Sequence, residues 1–147
     1  MELPAIAELA RLLMDRHGLD GWSLRFDRAR RRAGLTRFDD RTISLSGVLL
    51  PLYSEQQVRD VVLHEIAHAL VGPRHNHDAT WRAQARQIGA PPRATLVDAP
   101  QAPATWIGRC PNGHEVPRYR RPSGQRSCGK CSKSYDPRFT LTWHRVG

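Results

Sequence analysis

A chain of 147 residues builds one modest core with a small appendage, which excludes two independent enzymatic domains. Its formal charge of +9 is uneven: residues 101–147 hold nine Lys/Arg against two Asp/Glu, or +7, leaving +2 for residues 1–100. The three cysteines all follow residue 109, which argues against a disulfide framework and suits thiolates that hold metal in a reducing compartment.

The first twenty residues have no basic start and no uninterrupted apolar run of signal type, and no stretch approaches membrane-spanning length. The expectation is a cytoplasmic protein with no membrane partner. Leu3, Ile6, Leu9, Ala10, Leu13 and Met14 recur at helical spacing, so an amphipathic helix opens the chain. Trp22, Leu24 and Phe26 then alternate, and "RAGLTRF" and "TISLS" flank the turn-like Asp39-Asp40. These segments predict a small antiparallel sheet. The cluster "RARRR" at 28–32 adds a positive patch.

Ser54 with Gln57 three residues on forms a capping box ahead of "VRDVVLHEIAHALV", and Gly72-Pro73 stops that helix. Val58, Val62, Ile66, Ala69 and Leu70 make one apolar face, while Val61, His64, His68 and Val71 share another stripe. A helix apolar on two sides belongs in the centre of the domain. A second helix follows in "DATWRAQARQIGA". The stretch "PPRATLVDAPQAPA" holds four prolines without periodicity and reads as a linker over 91–104.

His64 and His68, four apart on a helix, lie about 40° and one turn from each other, which suits two ligands of one tetrahedral zinc. Glu65, about 100° around the helix, reaches beside the metal as a general base for a zinc-activated water. The pattern is H-E-x-x-H. A catalytic zinc of this type takes a third protein ligand and leaves a position open. No Glu occurs between 66 and 114, Val71 and Arg74 stand where a metzincin pattern needs Gly and His, and no Cys precedes Cys110. The candidates left are His75, His77 and Asp78. With the second helix starting near 78, His77 falls on one stripe with Trp81, Ala85 and Ile88, which favours His77 over His75. Arg74 and His75 are candidates to stabilise an oxyanion.

In the tail, Cys110 and His114 bracket an Asn-Gly turn, and Cys128 and Cys131 bracket Gly-Lys. Four such ligands suit a closed Cys3His structural zinc, with His144 as the alternative to His114. A segment of about forty residues needs such a staple to fold alone. Trp106, Tyr119, Tyr135, Phe139 and Trp143 are expected to form its core rather than a stacking surface. Arg118, Arg120, Arg121 and Arg126 sit in the loop joining the two turns and are candidate phosphate contacts.

With H-E-x-x-H at 64–68, a third histidine after a short loop followed four residues later by Trp81, and a cysteine-bearing ribbon, the chain resembles the SprT-like, Spartan-related family of zinc metallopeptidases. The resemblance implies an α+β fold: a small zincin-like domain over 1–90, with an N-terminal helix, short antiparallel sheet, H-E-x-x-H helix and second ligand helix, then the linker and a β zinc ribbon over 105–147. It implies His64, His68 and His77 as ligands and Glu65 as base. Asp78 stands where the family commonly has glycine. The expected function is zinc-dependent hydrolysis of protein or peptide substrates, with one catalytic and one structural Zn2+ and with DNA-associated proteins as candidate substrates. The alternatives are a nucleic-acid-binding zinc protein with an idle catalytic domain, and a metal-dependent nuclease.

Overall fold

The computed structural model describes residues 1–146 and divides into two compact units, Met1–Ala102 and Pro103–Gly147. In the first unit, α1 (Leu3–Arg16) buries Ile6, Ala10, Leu13 and Met14, the inner side of the expected stripe, while Leu3 stays at its exposed margin. Arg11 ties the end of this helix to the next turn: its guanidinium donates to the carbonyls of Leu19 and Trp22.

Three strands follow, β1 (Ser23–Asp27), β2 (Gly34–Arg37) and β3 (Thr42–Ser46), in the spatial order β1-β3-β2. The expected antiparallel pairing holds for β2 with β3, but β1 runs parallel to β3, so the sheet is mixed. The cause lies in the arginine-rich segment between β1 and β2. It crosses the end of β3, where Ser46 donates its main-chain N–H to Ala33 and Gly47 donates to Asp27. The strands before and after it therefore flank β3 on opposite sides. Asp27 fixes this crossing by accepting from Ser44 Oγ, the Ala29 amide and the Arg32 guanidinium. Every residue of β3, the central strand, is buried, with α2 packed against it.

Helix α2 (Glu55–Val71) starts at the expected capping box, Ser54 and Gln57 satisfying each other's main-chain N–H, and ends at Gly72 with φ 92°. Val58, Val61, Val62, Leu63, Ile66 and Ala67 are buried along it, which confirms a central helix. Leu70, expected on the inner face, is exposed instead, because the last turn runs past the edge of the core. Helix α3 (Ala79–Ile88) is capped by the Asp78 side chain on Trp81 N and ends at the left-handed Gly89. Residues 91–102, which read as a linker, fall within the first unit. Gln57 Nε2 donates to the Asp98 carbonyl, and Ala90 and Ala102 are buried.

The second unit is an antiparallel sheet of β4 (Trp106–Arg109), β5 (Glu115–Arg118) and β6 (Thr142–Arg145), with β4 central. Its core is Cys110, Cys128 and Leu141, with Val116, Cys131, Phe139 and Trp143 packed against them. Gly108 on β4 faces Trp143 across the sheet, and a Cβ there would lie 2.8 Å from the indole. Phe139 and Trp143 are thus core residues as expected. Tyr135 is not: it is 55% exposed and donates its hydroxyl to Gln125.

Candidate metal centre

His64 and His68 project from consecutive turns of α2, and His77 arrives from the loop just before α3. The His77 Nε2 lies 3.0 Å from His64 Nε2 and 3.1 Å from His68 Nε2. Burial, followed by the neighbouring histidines, pushes His64 down to about 4; burial also lowers His68 and His77, helped by His77 and Arg82 respectively. All three rings are thus biased toward the neutral form, the one that binds a cation. Two Zn–N bonds of 2.0–2.1 Å at a tetrahedral angle put ligand nitrogens about 3.3 Å apart, within a few tenths of an ångström of the observed spacing. The donor set fits zinc.

Trp81, fully buried, walls this cluster. Its ring centroid is 4.6, 5.2 and 4.7 Å from those of His64, His68 and His77. His77 has φ 55°, a left-handed conformation that costs an L-residue about 1–2 kcal/mol. That kink delivers the ring toward α2 and immediately precedes the Asp78 cap. The other two candidates are otherwise engaged: His75 Nδ1 pairs with Asp78 Oδ2 at 2.8 Å, while Asp78 Oδ1 accepts from Trp81 N. Neither belongs to the convergent group of His64, His68 and His77.

Glu65 lies on the sheet side of α2 and is only 7% exposed. Burial pushes its carboxyl up to about 7, against the opposing effects of the Thr36 hydroxyl and the Arg32 charge. A cation held by the neighbouring imidazoles would bring that value back down. Thr36 Oγ1 lies 3.0 Å from both Glu65 Oε1 and the Glu65 carbonyl. Gly34 closes the other side, where an added Cβ would stand 2.8 Å from Glu65 Cγ and 3.0 Å from Oε2. Neither Thr36 nor Gly34 was evident from the sequence, since both act across about thirty residues of chain.

These groups line a cleft of about 650 Å³ that also includes Arg31, Arg32, Leu35, Tyr53, Asp60, Val61 and residues of the 91–99 segment. Arg74 is exposed and does not line it, whereas His75 does. β2 forms the cleft's edge. Because Ala33 C=O pairs with Ser46 in register with the β2–β3 ladder, the alternation of an antiparallel pair turns the N–H and C=O of Gly34 and Thr36 away from β3. The sheet therefore offers an open strand edge beside Glu65.

In the second unit, Cys110, His114, Cys128 and Cys131 converge. His114 Nδ1 lies 3.5, 3.6 and 3.3 Å from the three sulfurs, and Cys110 Sγ is 3.8 Å from Cys131 Sγ. Tetrahedral zinc with bonds of 2.0–2.1 Å to nitrogen and 2.3 Å to sulfur implies about 3.6 Å between N and S and about 3.8 Å between sulfurs. Burial of Cys110 opposes its ionisation, yet the amides of His114 and Asn112, together with the Cys131 and His114 side chains, outweigh it and bring the thiol down to about 6. His144 lies on β6, exposed and outside this group. Arg118, Arg120, Arg121 and Arg126 are all exposed, and Arg121 lies 5.8 Å over the Trp106 ring.

A mixed sheet packs against a helix that carries two convergent imidazoles, with a third from the next helix's approach, in a fold similar to that of zincin-like metallopeptidases. Among the solved structures of similar fold are two metallopeptidase zymogens, a likeness that bears on the fold alone. The metallopeptidase zymogen jannalysin of Methanocaldococcus jannaschii aligns with a TM-score of 0.50 at 14% identity, covering 56% of this chain and 79% of that one. The metallopeptidase zymogen abylysin of Pyrococcus abyssi aligns with a TM-score of 0.50 at 19% identity, covering 60% and 84%. No curated protein matches at the sequence level. The SprT-like family profile matches residues 4–102, and the chain belongs to the SprT-like family. Among the described residues, no helix is long and apolar enough to cross a membrane.

Proposed function

We propose that the protein is a zinc-dependent endopeptidase with its centre at His64, His68 and His77 and with Glu65 as general acid–base. The convergence of three imidazole nitrogens beside a buried, oriented carboxylate carries this reading. Family membership and the metallopeptidase zymogens of similar fold support it. When bound, zinc supplies Lewis acidity, which acidifies a water and polarises a carbonyl. The protein's own residues do the rest. Gly34 and Thr36 present main-chain groups to an extended peptide, the geometry by which a sheet edge takes up a strand. Thr36 holds Oε1 of Glu65 still, so that the other carboxylate oxygen takes the proton from the attacking water and hands it to the leaving amine. Trp81 and the packed face of α2 keep the imidazoles from turning away.

Cys110, His114, Cys128 and Cys131 hold a second, structural zinc. The exposed Arg118, Arg120, Arg121 and Arg126 contact nucleic acid and direct the peptidase to DNA-associated proteins. The deciding experiment is the Glu65→Gln variant: zinc-loaded wild type cleaves casein, and the variant retains zinc content and circular dichroism but loses cleavage. Wild type with full zinc occupancy and no cleavage, with or without DNA, would refute the peptidase reading. Cleavage of labelled DNA or RNA that survives Glu65→Gln would replace it with a nuclease.

A further inference from the structure

The cleft that holds Glu65 carries an excess of positive charge. Arg31, Arg32 and Arg93 line it, against Asp60 and Glu65. Of the acids, Glu65 is buried and bonded to Thr36, and Asp60 accepts from Gln56 Nε2 at 2.9 Å. Of the cations, Arg32 is held by Asp27 at 2.9 Å but remains half exposed, and its charge still reaches Glu65. Arg93 has no acidic partner among the described residues. It stands on the 91–99 segment, which Gln57 pins to the first unit through the Asp98 carbonyl.

Position along the chain limits where these charges act. Arg32 and Arg31 precede Gly34 by two and three residues, so their Cα atoms lie at most about 7 and 11 Å from it. A peptide paired with β2 at Gly34 and Thr36 advances about 3.3 Å per residue. The main chain of Arg31 and Arg32 therefore lies within about three residues' advance of a peptide's pairing at Gly34. A guanidinium selects a carboxylate by charge-assisted, bidentate hydrogen bonds.

Resting on the peptidase reading, we infer that the enzyme selects acidic peptides, with Arg93 binding an Asp or Glu side chain of the peptide that occupies this cleft. The cations share one concavity with the histidines and the open edge of β2, which favours a peptide carboxylate over a nucleic-acid backbone as their ligand.

The test uses the zinc-loaded full chain and a peptide library read by mass spectrometry, followed by kcat/KM for matched peptides carrying Glu or Gln at the selected position. The acid is expected to win by tenfold or more, with the ratio collapsing toward one in Arg93→Gln and in high salt. Arg86→Gln, on the exposed face of α3 and outside the cleft, keeps the ratio. A separate readout is anisotropy of a labelled tri-glutamate peptide on metal-free protein: binding weakens severalfold in Arg93→Gln, and a tri-lysine peptide does not bind. Efficient cleavage without acidic preference overturns this inference and leaves the peptidase reading standing, whereas no cleavage of any peptide overturns both. Displacement of the tri-glutamate peptide by short single-stranded DNA, lost in Arg93→Gln, would reassign the cations to nucleic acid and also overturn it.

Discussion

Gly34 and Glu65 are fitted to each other: a methyl group on Gly34 would approach Glu65 Cγ to 2.8 Å, closer than side-chain carbons pack. The obstructing atom lies mid-chain and α2 holds its backbone, so the carboxylate itself must move. Gly34→Ala is therefore expected to lower kcat/KM on the order of a hundredfold, the scale of an ångström's misplacement of a catalytic group. The three histidines are untouched, so zinc content should stay at wild-type level. Steady-state kinetics beside metal analysis checks this; undiminished activity would mean that Glu65 is not the acting base.

Thr36 offers a finer probe of the same carboxylate, because its hydroxyl is the side-chain partner of Glu65 Oε1 at 3.0 Å. Thr36→Val keeps the shape and removes the donor, leaving a buried acceptor unpaired at a cost of about 1–3 kcal/mol. Activity should fall about tenfold or more, chiefly in kcat, and Thr36→Ser should restore most of it. Equal effects of Val and Ser would assign Thr36 to packing alone.

Much of this centre was legible in the sequence, for reasons that mark where such reading stops. The capping box at Ser54, the stop at Gly72 and the four-residue spacing of His64 and His68 are local, and local rules govern them. His77 was reachable because Asp78 marks the helix start and Trp81 marks its inner face. Gly34 and Thr36 were not, because their role exists only once β2 lies against α2. The parallel β1 was missed because nothing in the alternation of Leu24 and Phe26 reports strand direction; the hydrogen bonds of Ala33 and Asp27 at the end of β3 decide it. The prolines of 91–104 signalled irregular backbone correctly, but not that Arg93 and Leu96 would line the cleft.

Trp81 packs its buried indole against all three rings, so its substitution tests stability and metal affinity together. Trp81→Ala is expected to destabilise the first unit by about 3–5 kcal/mol and to weaken zinc at that centre. Trp81→Phe, which retains part of the wall, should fold and bind zinc with intermediate affinity. Thermal melts with competitive chelation measure both effects, and unaltered zinc affinity in a folded Trp81→Phe protein would reduce the residue to core packing.

Asp27 contributes to the acid limb of stability. Burial opposes its ionisation, but Ser44, the Ala29 amide and Arg32 together outweigh it and hold the carboxyl below its ordinary value of 3.8. A depressed folded pKa contributes stability above the unfolded value, and that contribution disappears as pH falls through the folded one. The stability difference between wild type and Asp27→Asn should thus be constant near neutrality and shrink below about pH 4. Urea titrations from pH 3 to pH 7 read this directly; a difference that grows on acidification would contradict the ion-paired carboxylate.

The two ligand sets should separate cleanly by mutation. With His64, His68 and His77 in one unit and Cys110, His114, Cys128 and Cys131 in the other, full loading is expected to give two zinc per chain. His68→Ala should reduce this to one and abolish cleavage, because two imidazoles leave the catalytic ion weakly held. Cys128→Ser should also leave one, but by a different route. The second unit's core consists of two of its cysteines and Leu141, too little apolar surface to offset the chain entropy of some forty residues, so losing the metal unfolds it. Limited proteolysis would then remove residues beyond about 103 while the first unit persists with its zinc. A Cys128→Ser protein that resists proteolysis and still binds two zinc ions would refute the structural assignment of the tail.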